Sequence, residues 1–256
     1  MDIVEIISVL SRWLHIAAGI LWIGLLYFYN FVNAPFAATM DGDTKKKVVP
    51  ELLPRSLFWF RWGAAFTWIT GVLLLVLVFY HGGLMFQAEN QEGWVAGSFV
   101  MLAVVFGGAF VYDILAKTPI GKNLKVFTPV GFVLIAAVIY GMINYGGFDY
   151  RAYSIHTGTL FGTIMAYNVW FRIWPAQKKI ITSIKDGTAP DAGLVALAGS
   201  RSRQNTYLSV PLFWTMINMH TTVPGANSWL YLLGAIALGW LVVFLVYRKA
   251  AKVKGF

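Results

Sequence analysis

Apolar residues run through this chain in long blocks separated by short polar stretches. A helix needs about 20 such residues to cross the hydrocarbon core of a bilayer. Seven blocks reach or approach that length, at about 13–36, 57–80, 94–115, 125–146, 152–174, 206–222 and 228–247. The pattern predicts an all-α integral membrane protein, a bundle of about seven transmembrane helices. The sixth block is the weakest, being short and holding Pro211, Asn218 and His220. Ahead of the first block, Ile3, Ile6, Ile7 and Leu10 share a helical face that Asp2 and Glu5 interrupt. That segment reads as a lead-in lying at the interface, not as a signal peptide: its start lacks positive charge and no small-residue cleavage site follows.

The polar stretches carry the charge. Loop 37–56 holds Lys45, Lys46, Lys47 and Arg55; loop 116–125 holds Lys117, Lys122 and Lys125; loop 175–205 holds Lys178, Lys179, Lys185, Arg201 and Arg203. With the basic tail and with Arg61 and Arg172 near helix ends, 18 of the 20 cationic residues fall on one side of the layout. Only Arg12 and Arg151 fall on the other. The positive-inside rule then places the N-terminus outside and the C-terminus inside. The net charge of +9 is therefore an orientation signal, not a nucleic-acid footprint. Within the basic side, 44–53 reads as a short helix on the anionic leaflet. Segment 190–205 reads as helical from Pro190-Asp191 onward.

Composition narrows the class. Only 12% of residues are charged, about half of what a soluble domain carries. Water-soluble globular folding is excluded, and residues 1–256 read as a single membrane domain. The chain has no cysteine, which excludes disulfides, thiolate metal sites, iron–sulfur clusters and covalently attached c-type haem.

Ionisable residues are costly in a bilayer and are functional candidates by default. The four histidines, His15, His81, His156 and His220, all fall in the outer half of the seven-helix layout, on separate spans. Imidazoles at similar depth on different helices suit axial ligation of a non-covalent haem b. His15, His156 and His220 are the expected iron ligands, with His81 a fourth candidate. Arg12 and Arg151 each lie about one turn outward of a histidine and suit the propionates. His15, Gly19 and Trp22 share a helix face, where the glycine would leave room for a flat ring and the tryptophan would pack on it. Gly158 and Gly162 permit close approach of a helix or a ring. Asp113, four residues before Lys117, reads as half of a local ion pair.

Three stretches resemble the membrane part of bacterial cytochrome-c-linked urate oxidases (urate hydroxylases). They are Trp13-Leu14-His15-Ile16-Ala17-Ala18-Gly19-Ile20-Leu21-Trp22-Ile23-Gly24, Ser154-Ile155-His156-Thr157-Gly158, and Ser200 to Pro211 running on to His220. The first also resembles membrane protoporphyrinogen oxidases. The resemblance implies an oxidoreductase of the bacterial inner membrane that passes electrons from urate to a c-type cytochrome. With no Cys-x-x-Cys-His here, that cytochrome is expected as a separate partner. The expected function is thus a membrane haem b oxidoreductase with its redox site near the outer face. Two alternatives stand beside it: an accessory subunit of a respiratory or photosynthetic membrane complex, and a protoporphyrinogen-oxidase-like enzyme.

Overall fold

The computed structural model describes residues 3–86, 93–218 and 228–253, and all regular structure among them is helical. α1 (Ile3–Tyr27) passes through a π-helical segment (Phe28–Asn33) into α2 (Ala34–Thr39). After a break at Met40 and Asp41, α3 (Gly42–Leu74) continues through a second π-helical segment (Leu75–Tyr80). α4 (Ala96–Lys117), the short α5 (Pro119–Lys122) and α6 (Leu124–Asn144) follow. α7 (Tyr150–Asn168) runs through a third π-helical segment (Val169–Ile173) into α8 (Trp174–Lys185). α9 (Ala192–Ile217) and α10 (Trp229–Ala250) complete the bundle.

Among the described residues, five helical stretches are long and apolar enough to cross a membrane: Ile3–Thr39, Gly42–His81, Ala96–Lys117, Leu124–Asn144 and Trp229–Ala250. The fifth and sixth expected spans are also helices, α7 and α9, but they fall short of that apolarity. Their position explains why. Eleven of the 19 residues of α7 are buried within the protein, against two of 21 in α6. A helix shielded by its neighbours need not dissolve in lipid, so it tolerates polar side chains.

The polar stretches largely continue the apolar blocks as helix, and 175–185, which reads as connection, is the helix α8. The lead-in is continuous with α1, because nothing between Ile3 and Tyr27 breaks a helix. The expected short helix at 44–53 is the start of α3, whose first turn is capped by Asp41 accepting from Thr44 N at 2.9 Å. Pro50 and Pro54 lie inside α3 without ending it. Segment 190–205 is helical as expected, with Asp191 as its cap, and it joins the sixth block in one helix. The 40 residues from Gly42 to His81 span roughly 60 Å, about twice the hydrocarbon core. The basic end of the bundle is therefore a helical extension. There α8 and α9 pack through Ala176, Ile180 and Ala198.

Small residues set the close crossings. Gly63, Thr67 and Gly71 form a four-residue stripe on α3 against which α1 lies. A Cβ on Gly63 would stand 3.2 Å from Trp22 N, and one on Gly71 would stand 3.0 Å from His15 Cε1. Gly158 of α7 does the same toward α9, since a Cβ there would overlap Thr215 Oγ1. Small-xxx-small stripes bring backbones together where lipid offers no hydrophobic drive.

Candidate functional site

Among the described residues, His156 is the most enclosed ionisable side chain in its half of the bundle, with no exposed surface. Asp149 caps α7 by accepting from Ala152 N at 2.7 Å, which sets the first turn of that helix. The Ala152 carbonyl then accepts from His156 Nδ1 at 2.7 Å. With the proton held on Nδ1, the lone pair of Nε2 faces the Tyr80 hydroxyl, 3.0 Å away. Tyr80 stacks on the imidazole at 5.8 Å between ring centres, with Phe148 at 5.0 Å and Phe79 edge-on at 6.3 Å. Trp94 sits edge-on to Tyr80 and leads to the surface. Burial pushes the carboxyl of Asp149, just outside α7, above the ordinary range, an effect its backbone contacts at Ala152 only partly offset.

The other expected residues are distributed differently. His15 bonds through Nδ1 to Thr70 Oγ1 at 3.1 Å, on the stretch of α3 that also carries Gly71. His156 meets Tyr80, about nine residues and roughly 14 Å further along the same helical axis. The two imidazoles are therefore not opposed across one ring. The face shared by His15, Gly19 and Trp22 lies on α3: Gly19 is 3.8 Å from Thr67 in Cβ terms, and Trp22 is 1% exposed against Gly63. In this packing Gly19 and Trp22 serve a helix crossing and leave no gap for a macrocycle. Gly158 likewise meets a helix, not a ring. His81 is exposed at the end of the second π-helical segment. Arg12 and Arg151 are both exposed, one turn before His15 and at the start of α7 respectively. His220 lies outside the described residues.

For haem the test is mixed. At His156 the donor chemistry fits, since a buried neutral imidazole with its far nitrogen tied to a backbone carbonyl is how ligating histidines are oriented. Its Nε2, however, is bonded to Tyr80, and the ring is packed by Phe79, Tyr80 and Phe148. The His15 side does not fit, because α3 already fills it.

A second polar centre was not foreseen as such. Asp113 of α4, 3% exposed, receives Lys117 at 2.7 Å, the local pair expected from the sequence. It also receives Arg172 through two contacts, with Nε at 2.7 Å from Oδ1, and Arg201 at 2.9 Å. Arg201 is 2% exposed and lies over the Tyr112 ring at 5.0 Å. Asn168 of α7 donates to Asn205 Oδ1 at 2.8 Å and to Tyr112 Oη at 3.2 Å; Asn205 donates to Met165 O at 3.0 Å, and Tyr112 donates to Gln204. One carboxylate thus gathers three cations from three helical segments, beside an amide pair that ties α7 to α9. The third π-helical segment, which carries Arg172, places its guanidinium in this cluster. Polar residues at bundle-facing positions of α7 and α9 were the signal available in the sequence. Their partners lie 37 to 88 residues away and could not be read from spacing.

No curated protein and no solved structure matches the chain. A family model, urate oxidase N-terminal, matches residues 40–255. That match includes the His156 stretch and the run from Ser200 to Pro211, and it covers all the helices of both polar centres. The chain belongs to the urate oxidase N-terminal family.

Proposed function

We propose that this chain is the membrane module of a urate-oxidising system: a haem b oxidoreductase of the bacterial inner membrane, N-terminus outside, with its redox site at the His156 end of the bundle. The observation that carries the reading is His156 itself, fully buried and held as the Nδ1–H tautomer by Ala152 O in a chain of this family. Haem b held there would supply one-electron chemistry. The protein's own part is definable. Asp149 and Ala152 orient the imidazole, Phe79 and Phe148 exclude water, and Tyr80 holds a proton 3.0 Å from Nε2. Tyr80 must yield Nε2 for any metal to bind it. Electrons would leave to a separate c-type cytochrome on the same side.

The test is a pyridine haemochrome spectrum of the purified chain in mild detergent. A b-type spectrum that disappears in His156→Ala, with urate-dependent reduction of added cytochrome c in the parent, supports the reading. A parent chain free of haem overturns it. A second reading, an accessory subunit without catalysis, is favoured by a different observation: both nitrogens of His156 already have protein partners. Stoichiometric co-purification of other oxidoreductase subunits with a haem-free chain would select that reading.

A further inference from the structure

A cavity of about 150 Å³ opens at the basic end of the bundle, between the first π-helical segment, α3, the start of α8 and α9. It is far from His156 and independent of the haem reading. Phe60 and Leu57 of α3 lie about 20 residues from Tyr80, so the cavity sits near the depth where the hydrocarbon core ends. Its walls are mostly aliphatic and aromatic, with Tyr29 edge-on to Phe60 at 5.3 Å. Asn30 is a fixed post within it, donating to Leu26 O at 2.9 Å and Ser202 Oγ at 2.8 Å and accepting from Tyr247 at 2.8 Å. Two other polar groups on the wall are unused: the half-buried side-chain amides of Asn33 and Gln177 make no hydrogen bond among the described residues. The buried hydroxyl of Tyr29 has Ser56 beside it, so Tyr29 contributes its ring to the wall and not its Oη.

This set defines an occupant. Two amides offer N–H donors to carbonyl oxygens. No Lys, Arg, His, Asp or Glu lines the space, so the occupant is uncharged; a lipid phosphate would find no cation within it. Water claims about 30 Å³ per molecule in the liquid, so the space matches one substituted six-membered ring as well as a few waters. Leu53, Leu57, Phe60 and Ile173 give such a ring apolar faces to lie against. The lining residues Ala34 and Gly199 are exposed and form the mouth, through which a tail can leave.

We propose that this cavity binds the head group of a membrane quinone, its carbonyl oxygens accepting from the side-chain amides of Asn33 and Gln177.

The full chain in lipid nanodiscs is titrated calorimetrically with a fully substituted benzoquinone bearing a ten-carbon tail. Saturable binding near one equivalent is expected. Asn33→Leu combined with Gln177→Leu should weaken it at least tenfold. Gly199→Leu should abolish it by blocking the mouth, and a Cβ at Gly199 meets nothing within 4 Å, so the fold should be retained. An unchanged melting temperature checks that. Absence of saturable binding in the parent means the space holds water only and overturns the proposal. Equal binding by Gly199→Leu places the quinone elsewhere and also overturns it. So does tight binding of uracil, an uncharged lactam without a tail, that displaces the quinone.

Discussion

α6 and α7 follow one another in the chain and have nearly the same length, yet they are built for opposite surroundings. α6 buries only Ile139 and Met142, and presents residues such as Val133, 65% exposed, outward. α7 buries Ser154, His156, Thr157 and Asn168 among its eleven enclosed residues. The difference teaches where chemistry can be kept in a membrane bundle. A lipid-facing helix must hide every polar group in its own backbone ladder. An enclosed helix can spend side chains on hydrogen bonds to its neighbours, and α7 does so at both ends, with His156 at one and Asn168 at the other. The apolarity that reveals a span from sequence is thus strongest where the helix does least.

This contrast can be broken at graded cost. The largest effect is expected for Asp113→Ala, which leaves Arg172 and the almost fully buried Arg201 without their carboxylate. Removing one partner of a buried ionic cluster costs about 3–5 kcal/mol, so unfolding in detergent should move to much lower temperature or denaturant. A variant that melts with the parent would show that lipid or water, not Asp113, satisfies those guanidiniums. Next comes Gly158→Ala, whose Cβ would overlap Thr215 Oγ1 and push α7 from α9. Overpacking of this kind costs about 1–3 kcal/mol. Gly162→Ala, one turn on, meets nothing within 4 Å and should leave the melting curve in place. Equal behaviour of the two glycines would remove the close α7–α9 crossing.

Asn205→Leu should cost less, about 0.6–1.7 kcal/mol, the range found for hydrogen bonds between membrane helices. Its signature is coupling: the double variant with Asn168→Leu should lose less than the sum of the two single losses, because the two amides share one bond while Asn168 keeps its own to Tyr112. Additive losses would separate them. The smallest effect is expected at the lipid face, where Val133→Leu on α6 should change stability by less than about 0.5 kcal/mol. A large loss there would mean that α6 is covered by another protein surface.

The order in which the molecule became legible follows the same physics. The helices at 57–80, 94–115, 125–146 and 228–247 could be read closely, because lipid-facing stretches repeat one property over 20 residues. α7 and α9 were legible as helices in the right places, though their polarity made α9 the weakest reading. The helices at 44–53 and 190–205 are legible too, but not that they are continuous with the apolar blocks beside them, because charge interrupts the apolar signal without interrupting the helix. The connection read at 175–185 is helix for the same reason. The His15–Gly19–Trp22 face was visible as a stripe, but a stripe does not say what lies against it. Gly63, Thr67 and Gly71 on α3 carried the complementary signal at the same four-residue spacing.

By itself the sequence determined the membrane class, the helical blocks and the crowding of 18 cations toward one end, since these depend only on composition along the chain. It also singled out His156 as a buried imidazole worth explaining, and Asp113 with Lys117 as a pair. Tertiary structure decided the rest. It set His15 and His156 at different levels of α3 and closed the His15 face with a second helix. It drew Arg172 and Arg201 onto Asp113 and left the side-chain amides of Asn33 and Gln177 without a hydrogen bond around a cavity. Each of these depends on which helix stands beside which and at what register. Spacing within one helix carries no information about its neighbour, so only packing could supply it.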